Sequence, residues 1–237
     1  MSIFLSVDPH ADRCPNYTPY VYTFNNPINY IDPDGRDGVR VIDRENRTIT
    51  IKANYYLQTE NRTTRTGTVS GYSQKDITRI ETRTNEWLNK QNLSVSEGEY
   101  EGYNIVFDLS FKEGGSASES RITAHGDMYE GHNIGNSIER GNQRTDPTIF
   151  SIEMNDDGTF SHAGGATSNK TNIIMNTTSD NRTNQIHEFG HTLGLDDNVK
   201  TGEKGGLMAY PPGKISQKEA NKLGNGSFLP AVEKNRE

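Results

Sequence analysis

The residues best suited to chemistry lie in the run His187-Glu188-Phe189-Gly190-His191-Thr192-Leu193-Gly194-Leu195-Asp196-Asp197. Successive residues of an α-helix turn by about 100°, so His187 and His191 share one face about a turn apart and can hold one metal ion. Glu188 lies beside them, placed to act as a base. Zinc accepts neutral imidazole nitrogen and carboxylate oxygen, and a catalytic site takes three protein ligands and leaves a position open for water. Two histidines leave one ligand to find. Gly194, three residues past His191, is expected to end the helix in a left-handed turn that swings the following residues back toward the metal. Asp197 is therefore the expected third ligand, with Asp196 the alternative. The bare pattern H-E-x-x-H is unspecific, and two solvated histidines on a helix face would also produce it. The glycine and the acid at these offsets weigh against that reading. The donor set favours Zn2+ over calcium or magnesium, which want oxygen-rich shells of six or more ligands. The chemistry implied is metal-assisted hydrolysis, with Glu188 taking a proton from water and passing it to the leaving group.

A second segment, Gly205-Gly206-Leu207-Met208-Ala209-Tyr210-Pro211-Pro212, follows after a short polar loop. Two glycines, an apolar pair and two prolines predict a tight buried turn. Taken with the histidine run, this segment resembles the metzincins, zinc metallopeptidases with an extended zinc helix and a methionine turn beneath the metal. The resemblance implies a protein or peptide substrate, with Met208 under the ligands without binding zinc itself. Tyr210 has the spacing of the tyrosine that in astacin-like and serralysin-like members approaches the zinc and steadies the oxyanion. Packing in the wall of the substrate pocket is the alternative for Tyr210. The commonest family pattern has histidine as third ligand, and an aspartate there resembles the snapalysin-type variant. A carboxylate ligand should make the bound water somewhat less acidic than three neutral ligands would.

The elements that must position these residues are legible in hydrophobic periodicity. Ile49, Ile51, Ala53, Tyr55 and Leu57 alternate with Thr48, Thr50, Lys52 and Asn54, which predicts a half-buried strand. Ser73 and Asp76 form a capping-box start before Ile77, Ile80, Trp87 and Leu88 at helical spacing, which predicts a long backing helix. Tyr103, Ile105, Phe107, Leu109 and Phe111 alternate with polar partners except Val106, and Phe150, Ile152 and Met154 alternate again, predicting two more strands. Ile173, Ile174 and Met175 predict a short buried strand before the zinc helix, whose apolar side carries Ile186, Phe189 and Leu193. Ser216 and Glu219 form a second capping box behind Ile215, and Gly224 is expected to end that helix. The expected fold is α+β. In the terms of the resemblance it is a twisted mixed sheet with a backing helix, an active-site helix, a methionine turn and a C-terminal helix. His125, His132 and His162 lie in glycine-rich stretches and are read as surface or packing residues; His162-Ala163-Gly164-Gly165 falls where metzincins place the edge strand that pairs with substrate.

The beginning of the chain differs in character, a string of proline, asparagine, aspartate and glycine turns with aromatic residues between them. Residues 1–36 resemble the end of the RHS-repeat-associated core domain, the shell of bacterial polymorphic toxins, whose terminal signature P-x-x-x-x-D-P-x-G falls on Pro27, Asp32, Pro33 and Gly35. In that family the motif marks the seam where a variable effector domain is joined and often released; Arg36 stands where many members carry leucine. Asp32 and Asp34 are read as turn residues, because the spacing of a calcium loop is not met. So short a leader cannot bury enough surface to fold alone. The division expected is a leader over residues 1–36 and a metallopeptidase domain over 37–237. The resemblance implies an effector delivered as part of a larger toxin and a cognate immunity protein.

Composition bounds the alternatives. The formal net charge of -7 and pI near 5.4 offer no broad positive field for nucleic acid, which disfavours a nuclease. The hydrophobic content of 30% and mean hydropathy of -0.86 predict a loop-rich, heavily hydrogen-bonded surface. The single cysteine, Cys14, cannot form an internal disulfide. No apolar run approaches a membrane span, and the first residues lack the basic and apolar regions of a signal peptide, so export is expected to come from a parent polypeptide or a delivery apparatus. Two rival readings remain at this level: a general degradative protease, and a non-catalytic surface module with a degenerate zinc site.

Overall fold

A computed structural model of the chain describes residues 38–150, 153–154, 160–161, 164–168, 170–197, 205–209 and 212–234. The seam motif of Pro27, Asp32, Pro33 and Gly35, together with Cys14, Ile152, His162 and Tyr210, lies outside the described residues. In chain order the first elements are β1 (Val39–Asp43), β2 (Thr48–Leu57), β3 (Arg62–Thr64), β4 (Gly67–Val69), α1 (Gln74–Asn89) and β5 (Asn104–Glu113). There follow α2 (Ala117–His125), β6 (Met128–Tyr129), β7 (His132–Asn133), β8 (Gly135–Gly141), β9 (Glu153–Met154) and β10 (Phe160–Ser161). The last are β11 (Gly165–Ser168), β12 (Asn172–Asn176), α3 (Arg182–Thr192), α4 (Gln217–Asn225) and β13 (Ala231–Glu233).

The sheet assembles around β2. Along its whole length β2 pairs parallel to β5, from Thr48↔Asn104 to Leu57↔Glu113. Its other edge is shared between two neighbours: Thr48 to Lys52 pair antiparallel with β1, while Asn54 to Leu57 pair parallel with β8. Beyond β1 lies β13, and beyond β8 lie the parallel β12 and then β11, antiparallel at the end of the sheet. Parallel neighbours need long crossovers, which α1 supplies between β2 and β5 and α2 between β5 and β8. The result is an α+β fold with one mixed sheet and, among the described residues, four α-helices.

The core lies on the face carrying the predicted alternation. Ile49, Ile51, Ala53, Tyr55 and Leu57 of β2 are buried with Ile105, Phe107, Leu109 and Phe111 of β5, against Ile77, Ile80 and Leu88 of α1. Trp87, read with that stripe, is only partly buried at its margin. Tyr55 stacks on Phe111 with ring centroids 4.8 Å apart, and Phe189 of α3 meets Tyr55 at 4.8 Å and Phe111 at 5.4 Å. The Tyr55 hydroxyl shares a hydrogen bond of 2.8 Å with Thr192 Oγ1, so the rings anchor α3 to the sheet and fix its rotation.

Helix α1 also covers the outer edge of β5. Asn85 donates to the Leu109 carbonyl at 2.7 Å and accepts from its N–H at 3.1 Å, and Asn89 does the same for Phe107 at 2.9 and 2.8 Å. Two amides four residues apart on the helix thus satisfy backbone groups that a further strand would otherwise bond, and this blunts an edge prone to association.

Several expectations need correction. The strand read over Phe150, Ile152 and Met154 is reduced to the two residues of β9, and Phe150 is a fully buried bend residue before it. Gly224 does not end α4, which runs to Asn225 with Gly226 as its cap; a Cβ at Gly224 would come within 2.3 Å of Val95 Cγ2, so close packing places the glycine there. His125 and His132 sit at the end of α2 and in β7 rather than in loops. Strand β8, Gly-Asn-Ser-Ile-Glu-Arg-Gly, has too few apolar residues for a period to be seen, yet it is buried through polar pairing, with Glu139 bonded to Arg121 and Ser137 to Asn172. Among the described residues no helix is long and apolar enough to cross a membrane.

Candidate metal centre

Helix α3 starts at the N-cap Asn181, whose side chain accepts from the Asn184 N–H at 3.2 Å. It ends as the glycine predicted. Gly194 has φ +87°, its N–H donates to the His191 carbonyl at 3.0 Å, and the Leu195 N–H donates to the Gly190 carbonyl at 2.9 Å. These paired bonds close the helix in a Schellman motif and turn the chain back along the histidine face. A side chain at Gly194 would be strained by its φ and would also strike Phe228, 2.4 Å from the position of a Cβ.

The turn brings Asp197 to the histidines. Asp197 Oδ1 lies 3.3 Å from His187 Nε2 and 3.4 Å from His191 Nε2, and one ligand atom from each of the three residues lies within 4.8 Å of the others. The imidazole rings are 5.0 Å apart between centroids and nearly perpendicular, at 88°. His187 Nδ1 bonds the Leu207 carbonyl at 3.2 Å and His191 Nδ1 bonds the Leu195 carbonyl at 3.1 Å. A carbonyl only accepts, so the Nδ1 bonded to it is the donor, and each Nε2 is the atom turned toward Asp197. Two imidazole nitrogens and a carboxylate oxygen converging at such distances make a donor set that suits a metal ion.

Asp196, the alternative ligand, is committed elsewhere. Its carboxylate accepts from Lys170 and from Lys222, each at 2.8 Å, and these hydrogen bonds lower its pKa to about 2. The two lysines come from the turn between β11 and β12 and from α4, so Asp196 pins the segment that carries Asp197.

Glu188, adjacent to the histidine pair, reaches toward the edge strand. Its Oε2 accepts from Thr167 Oγ1 of β11 at 2.6 Å. Burial raises the Glu188 carboxyl above the ordinary glutamate range, against the lowering effects of the Thr167 hydroxyl and of both histidines. A buried carboxylate next to a histidine pair and under the last strand of a sheet can exchange a proton with a molecule held over the metal position.

The turn at 205–209 packs against α3. Met208 is fully buried, and a Cβ on Gly190 would fall 2.5 Å from its sulfur and 3.2 Å from Leu207 Cδ2. The glycine between the two histidines is therefore what lets the turn lie flat against α3. Sequence reasoning missed Thr167, which lies in a short Gly-Ala-Thr-Ser strand with no readable period, and saw Glu219 only as a capping residue. The pairing of Asp196 with two lysines carried no sequence signal either, since the three are distant in the chain.

No protein-family model matches this chain, and the searches of curated proteins and of solved structures returned no match.

Proposed function

We propose that the chain is a zinc-dependent endopeptidase of metzincin-like design, acting as the effector tip of an RHS-type toxin. The observation that carries the catalytic part is the convergence of His187, His191 and Asp197 beside the buried Glu188. A tetrahedral zinc centre with bonds of about 2.0–2.1 Å has ligand atoms about 3.3–3.4 Å apart, the spacing of Asp197 Oδ1 from both histidines. Bound there, zinc would supply Lewis-acid polarisation of a scissile carbonyl and would lower the pKa of a water. Glu188 then takes the proton of the attacking water and delivers it to the leaving amine, with burial keeping the carboxylate poorly solvated and basic. The Thr167 hydroxyl holds Glu188 in place. The edge strand β11 offers backbone groups to an extended peptide, which supports a protein or peptide substrate.

The toxin part rests on the resemblance of residues 1–36 to the RHS seam, with an immunity protein as the partner that this resemblance implies. Expression of the chain in bacteria beside Glu188→Gln tests both parts. Growth arrest that needs Glu188, with equal zinc content in the two proteins, is the expected result. Cleavage of an unfolded protein substrate without harm to growth would point to a general protease. Neither effect would point to a binding module.

A further inference from the structure

We infer that Glu219 of α4 is a positioning residue for the metal centre, acting through the methionine turn on His187; the inference rests on the metal-binding reading above. Glu219 is buried, and its carboxylate accepts four hydrogen bonds. Two come from its own capping box, the Ser216 N–H at 2.7 Å and the Ser216 hydroxyl at 2.8 Å. The other two come from eleven and twelve residues away: the Met208 N–H reaches Oε1 at 2.9 Å and the Leu207 N–H reaches Oε2 at 3.0 Å. The Leu207 carbonyl in turn accepts from His187 Nδ1 at 3.2 Å. One peptide-linked path thus runs from the carboxylate to Leu207 and on to the imidazole of a proposed ligand.

The path has a clear physical consequence. A helix cap needs only one acceptor at N3, and Ser216 already satisfies it through Oε2. The bonds from Leu207 and Met208 serve the turn instead, holding two adjacent backbone N–H groups that would otherwise be buried without an acceptor. A negative carboxylate bonded to the Met208 N–H draws the Leu207–Met208 peptide into a fixed orientation, and the Leu207 carbonyl of that same peptide then orients the imidazole of His187. Groups that orient a ligand in this way commonly change metal affinity by about 10- to 100-fold when they are removed. No other described side chain is bonded to both N–H groups of the turn.

Zinc titration of the full chain in competition with a chelator of known affinity tests this, with circular dichroism and metal-free thermal unfolding recorded for each variant. Glu219→Gln keeps the shape but turns an amide N–H toward one of the two backbone donors. It is expected to weaken zinc about tenfold or more and to shift the visible absorption of the cobalt-substituted protein. Glu219→Asp, which draws the carboxylate back by one methylene, is expected to lose a smaller factor and serves if the glutamine variant fails to fold. Ser73→Ala, which removes the equivalent cap of α1 far from the turn, is expected to lower the metal-free midpoint and leave both zinc affinity and the cobalt spectrum unchanged. A folded Glu219→Gln with parental affinity and spectrum overturns the inference. So does Ser73→Ala if it loses affinity to the same extent, since the loss would then follow from general destabilisation. A parent chain that takes up no zinc overturns the metal-binding reading and this inference with it.

Discussion

In the proposed metal centre, which aspartate joins the two histidines turns on one residue's neighbours. Asp196 and Asp197 are the same chemical group one position apart, and helical spacing alone leaves both in reach of the histidines. Lys170 and Lys222 engage Asp196 by donating to it in two ion pairs, while Asp197 faces both Nε2 atoms. Gly190 decides a second matter at the same scale. In an exposed helix interior a change to alanine would gain about 0.5–1 kcal/mol of helix propensity. Here the added methyl must displace Met208 Sδ and Leu207 Cδ2, and overpacking of that kind costs about 1–3 kcal/mol. Gly190→Ala is therefore expected to lower the free energy of unfolding by about 1–2 kcal/mol in denaturant titrations, with weaker zinc binding. A variant as stable as the parent would mean that the turn does not press on the helix.

Among the elements, helix starts were readable wherever an amphipathic stripe followed a capping box. Ser73 with Asp76 and Ser216 with Glu219 form the reciprocal bonds their spacing implies. Ser116 with Glu119 forms the same box at the start of α2, which went unread because the one large aliphatic residue behind it, Ile122, is exposed. The box of α1 makes a pH-dependent prediction. The Ser73 hydroxyl, and after it the Ser73 N–H and Arg79, hold the Asp76 carboxyl below its ordinary value. A depressed folded-state pKa adds stability above the unfolded carboxylate range near pH 4, and that stability is lost as the pH falls through the folded value. Asp76→Ala should cost about 0.5–1 kcal/mol near pH 7, and the gap from the parent should narrow in urea titrations as the pH falls below the unfolded carboxylate range. A gap that persisted in acid would assign the cost to packing rather than charge.

For the whole molecule, the metal position joins parts that are far apart in the chain. Helix α3 supplies the two histidines of the proposed centre and the loop after it Asp197, while the turn at 205–209 and α4 support one histidine and β11 holds Glu188. An ion bound there stabilises the native state and not the unfolded one. At a free zinc concentration about 100 times its dissociation constant the gain is about 2.7 kcal/mol, which for a chain of this size raises the thermal midpoint by roughly 5–10 °C. Scanning calorimetry with zinc and with a chelator checks this. Calcium and magnesium at the same free concentration are expected to shift the midpoint little, because three ligands of this kind do not make an oxygen-rich shell. Elemental analysis showing no zinc in metal-replete protein would defeat the proposal.

What the amino-acid order determined alone was whatever depends on spacing along one element. The alternation in 48–57 and 104–113, the capping boxes at Ser73 and Ser216, the histidines four apart and the glycine that closes their helix are all local, because backbone geometry repeats with a fixed period. What only the tertiary structure decided is whatever depends on residues from different elements meeting. The polar strand β8 belongs to the sheet because its neighbours satisfy it, Asp196 is engaged because lysines from two other elements reach it, and Thr167 meets Glu188 because the sheet ends above α3. The histidine run was legible because it lies on one helix. Asp197 was legible as the preferred third member because the glycine turn that carries it is local too; the supporting residues were not, because hydrogen bonds and ion pairs across long sequence separations leave no period in the chain.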